Sequence, residues 1–213
     1  MYLLYIQFYI CSIEIDLIYN SIPRLCVKME AKKLTISTVG DMVDTAIIHL
    51  SIHGLNRTVL QKAVFLYLLS ISAANSYSFE KIADIAQFEP YKYGPFSDFI
   101  DGEVEILSGD GDLENSGNND IIKTDKNKLS KYPVNDKEMN IINEILELTD
   151  KLNTKEFVFY VYFHPSIPKN IKKYFTQNSE IKSELIKNKE KYIKELKRKG
   201  IIDDEAADLI RYD

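Results

Sequence analysis

The chain has 213 residues, 45% of them hydrophobic and 28% charged, with a formal net charge of −5. That composition suits one soluble globular domain with a substantial core, or one domain with a helical appendage. The acidic total argues against a nucleic-acid protein, and with Cys11 and Cys26 as the two cysteines there is no disulfide framework and no cysteine metal site.

Cysteine usage fits a reducing, cytoplasmic setting. The charge is unevenly spread: residues 29–150 carry a net −9, residues 151–199 a net +8 and residues 200–213 a net −4. An acidic body is thus followed by a basic segment and an acidic tail. The pattern implies either a basic contact surface or a helix that packs on its own acidic body, and the second is preferred.

Met1 to Asn20 is apolar and aromatic, but no Lys or Arg precedes the apolar run, as a secretion signal needs. Glu14 and Asp16 interrupt it, so it falls short of the roughly 18 apolar residues that span a bilayer. The preferred reading is a leader, residues 1–28, ahead of a true start at Met29. An added β-strand is the second reading and a membrane anchor the third.

The spacing of Met42, Val43, Ala46, Ile47 and Leu50 predicts a helix from about Asp41 to His53, ended by Gly54. Thr58 and Gln61 fit a capping box that opens a second helix over 58–74. That helix is apolar all round, with Lys62 as its one charge, so it is predicted to be the buried central helix. A short helix or irregular link over 79–88 follows.

Phe88-Glu89-Pro90-Tyr91-Lys92-Tyr93-Gly94-Pro95-Phe96-Ser97 is the most specific stretch of the chain. Its prolines fix φ twice and push Glu89 and Gly94 out of the helical region. A stiff extended connector is predicted over 88–94. Gly94 would then be the N-cap, and Pro95 the first residue, of a helix to about 108. The connector is either packed by its own aromatics or an aromatic surface with Lys92 at its tip that holds a partner.

Residues 108–112 read as a turn. Leu113-Glu114 and Ile121-Ile122-Lys123 are strand candidates of a hairpin. Asn135 and Glu138 form a capping box that opens the next helix, and Thr154 is predicted to cap a helix over 155–163 that ends at His164-Pro165. A short basic element spans 168–175. One long amphipathic helix is predicted over 179–199, with Gly200 past its end, and a last helix over 203–212. The fold class expected is mainly α with a small β-hairpin: a winged-helix-like helical domain with a C-terminal amphipathic helix.

Little of the sequence carries reaction chemistry. His49 and His53 have metal-ligand spacing but no following glutamate, and two exposed helical histidines explain them better. His164 beside a proline is explained by turn chemistry. Asp110 and Asp112 lack the glutamate of a calcium loop, since position 121 is Ile, and read as a solvated acidic turn. No nucleophile elbow and no phosphate-cradling loop is present. No cofactor, metal or catalytic residue is therefore expected. Lys194, Lys197, Arg198 and Lys199 are the candidate nucleic-acid contacts. Interleaved glutamates instead favour a solvated, self-paired helix.

Leu60-Gln61-Lys62-Ala63-Val64-Phe65-Leu66, Tyr91-Lys92-Tyr93-Gly94-Pro95, and the aromatic helix ending at His164-Pro165 together resemble the Panacea, or SocA-like, antitoxin domain. The resemblance spans about residues 43–165, with Tyr-Gly-Pro as its specific part, and leaves 166–213 as a basic helical extension. It extends to a wider group of bacterial and archaeal proteins related to that domain. It implies a winged-helix-like domain, 29–165, that binds another protein, as an antitoxin or as an adaptor delivering a substrate to a protease. It carries over Lys62, Tyr91, Tyr93, Gly94 and Pro95 as domain-defining positions, with Lys92 between them, and brings no catalytic residue. A DNA-binding transcription regulator is the second expectation, and an enzyme with a site built from scattered acids the third.

Overall fold

A computed structural model describes residues 34–116, 120–175 and 180–212 of the chain. The leader, residues 1–28, lies outside the described residues, as do Cys11 and Cys26. The elements in chain order are α1 (Ile36–Leu50), a 3-10 turn (Ser51–His53), β1 (Leu55–Asn56), α2 (Arg57–Ala74), α3 (Phe79–Ile85), β2 (Phe88–Tyr91), β3 (Gly94–Ser97) and α4 (Asp98–Gly109). They continue with β4 (Leu113–Ser116), β5 (Ile121–Thr124), a 3-10 segment (Lys126–Lys131), α5 (Asp136–Lys151), α6 (Thr154–Phe163), a second 3-10 segment (Lys169–Tyr174), α7 (Glu180–Lys187), α8 (Lys189–Arg198) and α9 (Asp204–Tyr212). The described residues are mainly helical, with two small antiparallel sheets among them.

Helix α2 is the axis of the fold. It is apolar on every side because it is covered on every side, by α1, α3, α5, α6, β1 and β3. Its opening differs from the sequence expectation. Asn56, not Thr58, is the N-cap, its side chain accepting from the Val59 amide at 2.9 Å. Gln61 is thereby free for a different task, described below. A similar substitution occurs at α6, where Asn153, not Thr154, is the cap and forms the capping box with Glu156. The predicted box of Asn135 and Glu138 is present at the start of α5.

The 113–124 hairpin forms, and β1 adds to it as a third strand in the order β1–β5–β4. The predicted long helix over 179–199 is two helices. Asn188 breaks it with φ −103° and ψ 15°, its side-chain amide donating back to the Glu184 carbonyl. Gly200 does end α8, in a left-handed conformation, and the Ile201 amide closes onto the Leu196 carbonyl. No helix among the described residues is long and apolar enough to cross a membrane.

Candidate functional site: the aromatic hairpin and the lysine beneath it

The stretch 88–97 is a second, two-stranded hairpin, not a connector running into a helix. Strands β2 and β3 pair Phe88 with Ser97, Glu89 with Phe96, Pro90 with Pro95 and Tyr91 with Gly94. The two prolines face each other at one rung. Prolines have no N–H to give, so this rung can only be a non-hydrogen-bonded pair, and the ladder bonds fall at the rungs on either side. Gly94 is therefore not an N-cap and Pro95 does not begin a helix. Ser97 caps α4 instead, its hydroxyl accepting from the Ile100 amide at 3.1 Å.

The base of this hairpin is fixed to α2 and its tip is in water. Gln61 of α2 grips Ser97 by both backbone groups: its Nε2 donates to the Ser97 carbonyl at 2.9 Å, and its Oε1 accepts from the Ser97 amide at 3.1 Å. The same Nε2 donates to Asp101 Oδ1 at 2.7 Å, and Arg57 holds Asp101 from the other side at 3.3 Å. The Ser97 hydroxyl donates to the Ala86 carbonyl. At the other strand, Phe88 meets Phe65 of α2 edge to face, with centroids 5.1 Å apart. Phe79, Tyr174 and Phe175 complete the ring cluster around Phe65. At the tip, Tyr91 is 52% exposed and Tyr93 37%. Tyr91 lies against Phe96, and Lys92 lies over the Tyr93 ring with Nζ 5.7 Å from its centroid.

Gly94 is where tip and core meet. Its φ is +103°, a conformation that favours glycine. A Cβ there would lie 3.1 Å from Tyr162 Cε2 of α6 and 3.5 Å from Lys62 Cε of α2. Lys62 is thus beneath the hairpin, and only 2% of it is exposed. Among the described residues no carboxylate pairs with its ammonium and no acceptor bonds it. Burial pulls its pKa down from the ordinary lysine range to about 7, with Asp101 pulling weakly the other way. The neighbouring Tyr162 hydroxyl is buried without a hydrogen-bond partner. The sequence positions Lys62, Gly94 and Pro95 are brought together here, while Tyr91, Lys92 and Tyr93 project from the same hairpin.

The four basic candidates at the end of α8, with Lys199 as its C-cap, are arranged differently. Lys197 pairs with Asp204, Arg198 with Glu195 at 2.8 Å, and Lys199 with the buried Glu156 at 2.5 Å. Lys194 is exposed and is the one of the four without such a partner among the described residues. These pairs join the basic segment chiefly to its own carboxylates, not to the acidic body as the charge pattern suggested.

Two further expectations change. His49 is not exposed: it is buried, and its Nε2 donates to the Tyr132 carbonyl at 2.8 Å. His53 turns away to Asp150, 2.9 Å distant, so the two histidines do not converge. Asp112 is not in a solvated turn: it is 6% exposed, with Lys131 at 2.6 Å, Lys128 at 3.2 Å and the Tyr132 hydroxyl donating at 2.9 Å. Those donors hold its carboxyl down to about 2. His164 sits in the turn expected of it, bonded to Ser166, and burial lowers its pKa to about 4.

Sequence reading missed one carboxylate pair. Asp44 of α1 faces Glu103 of α4, and burial followed by the Glu103 charge raises the Asp44 pKa to about 7. No periodicity signals it, because the two residues belong to separate helices. A surface cleft of about 510 Å³ lies elsewhere, lined by Ile52, His53, Lys126, Asn143, Asp150 and Lys151 among others. No group of three or more metal-ligating side chains occurs among the described residues.

No family model, no curated protein and no solved structure matches this chain.

Proposed function

We propose that the chain is a non-catalytic regulatory protein that works in the cytoplasm by binding another protein, in the manner of an antitoxin or a protease adaptor. The observation that carries this reading is the hairpin. Two tyrosines and a lysine stand exposed at its tip, while Ser97, Phe88 and Gly94 lock its base to α2 and α6. Exposed aromatics on a preorganised support are what a protein-binding hot spot requires, because little side-chain freedom is lost on docking. Pro90 takes a donor from the outer edge of β2, so recognition runs through side chains and not through strand addition. The resemblance carried by Lys62 and the Tyr-Gly-Pro block supports the same reading.

The experiment is a pull-down of the tagged full chain from nuclease-treated lysate of its native cells, with partners identified by mass spectrometry. One stoichiometric protein is expected, lost when Tyr91 and Tyr93 are both changed to Ala with the melting temperature retained. Recovery of DNA from untreated lysate and no protein partner would overturn it.

A DNA-binding regulator is the second reading. A winged-helix frame is supported by the sheet order β1–β5–β4 and by the order α1–β1–α2–α4–β4–β5 left when α3 and the β2–β3 hairpin, which stand between α2 and α4, are set aside. Charge opposes the reading: α4, the helix before the wing, carries Asp98, Asp101, Glu103 and Glu105 and no Lys or Arg. Such a helix is repelled by phosphates at the place where a winged helix enters the groove.

A further inference from the structure

The surroundings of the hairpin tip differ in charge from the acidic body. Strand β2 packs against the 3-10 segment Lys169–Tyr174, which carries Lys169, Lys172 and Lys173 and no Asp or Glu. Lys92 stands exposed at the tip, over the Tyr93 ring. Gly94 covers the Lys62 stem. The ammonium at the end of that stem is unbonded but not sealed. The sealed side-chain polar atoms without a partner among the described residues are Asp44 Oδ1, Ser51 Oγ, Tyr162 Oη and Tyr174 Oη, so the 2% of Lys62 that meets water includes its Nζ. Two carboxylates near the hairpin are already occupied: Asp101 is held by Arg57 and Gln61, and Glu80 accepts from Asn170 at 2.8 Å. Glu89 of β2 is exposed and has no partner among the described residues.

An aromatic tip flanked by lysines selects a partner by charge as well as by shape. Resting on the protein-binding reading above, we propose that the partner presents an acidic segment to this surface: its carboxylates meet the Lys92 and Lys62 ammoniums and the lysines of 169–173, and its apolar groups pack on Tyr91 and Tyr93. Charge complementarity carries the choice. Residues 29–150 are net −9, so an acidic partner is repelled over most of the body and drawn to the place where lysines gather. Lys62 sharpens the argument. An ammonium with little water and no carboxylate of its own gains most from a carboxylate brought from outside, since little hydration is left to displace. A nucleic-acid strand running past the tip would meet the acidic α4, whose Asp98 directly follows β3. A short acidic segment need reach no further than the hairpin and 169–173.

The test is an NMR titration of the full chain, labelled with 15N and with [13Cε]lysine, with a short peptide of alternating glutamate and tyrosine. Shifts are expected at the Tyr91, Lys92, Tyr93 and Gly94 amides and at the Lys62 and Lys92 side chains, and none with the same peptide carrying lysine for glutamate. Lys92→Glu should weaken binding by about tenfold, and Glu89→Gln should tighten it by about two- to threefold. Both positions are exposed, so neither change endangers the fold. Binding that Lys92→Glu leaves unchanged, equal binding of the lysine peptide, or tighter binding of oligothymidylate at the same residues would overturn the proposal, the last in favour of a nucleic acid. Failure here is distinct from failure of the protein-binding reading. If the acidic peptide leaves the hairpin unmoved while native lysate still yields a protein whose capture needs Tyr91 and Tyr93, the acidic partner is ruled out and protein binding stands. If the lysate yields no such protein either, both fall.

Discussion

Lys62 and Asp112 are both charged, both almost fully buried, and opposite in every other respect. Asp112 is surrounded by donors. Lys128 and Lys131 converge on one of its oxygens and the Tyr132 hydroxyl on the other, and its own carbonyl accepts from Thr124. The carboxylate thereby ties the 3-10 segment 126–131 to the end of α4, the carbonyl adds the tie to β5, and the charged form of the carboxyl is the favoured one. Among the described residues no ion pair or hydrogen bond holds Lys62, and burial disfavours its charged form. A buried charge that is paired is explained by architecture; a buried charge left unpaired calls for an explanation from function. That contrast sets the hairpin and the lysine beneath it apart from the better-bonded cluster around Asp112.

The sharpest way to break the contrast is to change the cover. Gly94→Val adds a side chain at φ +103° and drives it against the Tyr162 ring at 3.1 Å and the Lys62 stem. Backbone strain and overpacking together are expected to cost about 3–4 kcal/mol, read as a fall in urea midpoint. Lys62→Met is expected to act in the other direction. It keeps the apolar stem, removes the desolvated ammonium and should stabilise the fold by about 2–3 kcal/mol at pH 7. The gain shrinks as pH rises from about 7 towards 10, because the wild-type lysine then loses its charge in the unfolded chain too. A Lys62→Met chain that melts below the wild type at pH 7 would show that the ammonium is satisfied after all.

Asp112→Asn is the matching experiment on the paired side, and its sign is reversed. It replaces charge-assisted hydrogen bonds with neutral ones and should cost about 2 kcal/mol at neutral pH. The folded carboxyl titrates at about 2 against about 4 when unfolded, so its contribution is present above pH 4 and lost as pH falls from 4 to 2. Wild type and Asp112→Asn should therefore converge in acid, when followed by thermal melts from pH 7 down to pH 2.

The helical skeleton was legible because it rests on periodicity. Met42 to Leu50, Leu60 to Ile71 and the 155–163 run each announce a buried face, and the Asn135 and Glu138 box can be read directly from spacing. Errors arose where two local rules competed. Gly94-Pro95 satisfies a helix start, but Pro90 at the opposite rung satisfies a hairpin, and tertiary packing on Gln61 and Phe65 decides for the hairpin. Thr58 and Thr154 look like caps, yet Asn56 and Asn153, one or two positions earlier, are stronger ones. Of the site, Lys62 was visible as the single charge in an apolar helix. That it lies under Gly94 was not, since 32 residues separate the two and only the folded α2–β3 contact joins them. Asp112 was misread for the same reason: its partners Lys128, Lys131 and Tyr132 sit beyond a hairpin that no local pattern closes.

The smallest effect on stability should come from the residues assigned the largest effect on binding. Tyr91 rests on Phe96 with centroids 4.9 Å apart, and about half of its surface is in water; Tyr93 is also exposed and carries the Lys92 ammonium over its ring. Neither contributes to the ring cluster around Phe65 or to the Gln61–Ser97 clasp. Changing both to Ala should therefore cost about 1 kcal/mol or less, because one exposed aromatic contact and one exposed cation–π contact are lost. Hydrogen exchange across Ser97 and Ile100 should be unaltered, since their bonds to Gln61 and to the Ser97 hydroxyl remain. If the double variant instead melts several degrees lower and exposes Ser97, the tyrosines are part of the hairpin's own packing. The tip would then be scaffold, and Lys62, not the tip, would be left as the feature that architecture does not explain.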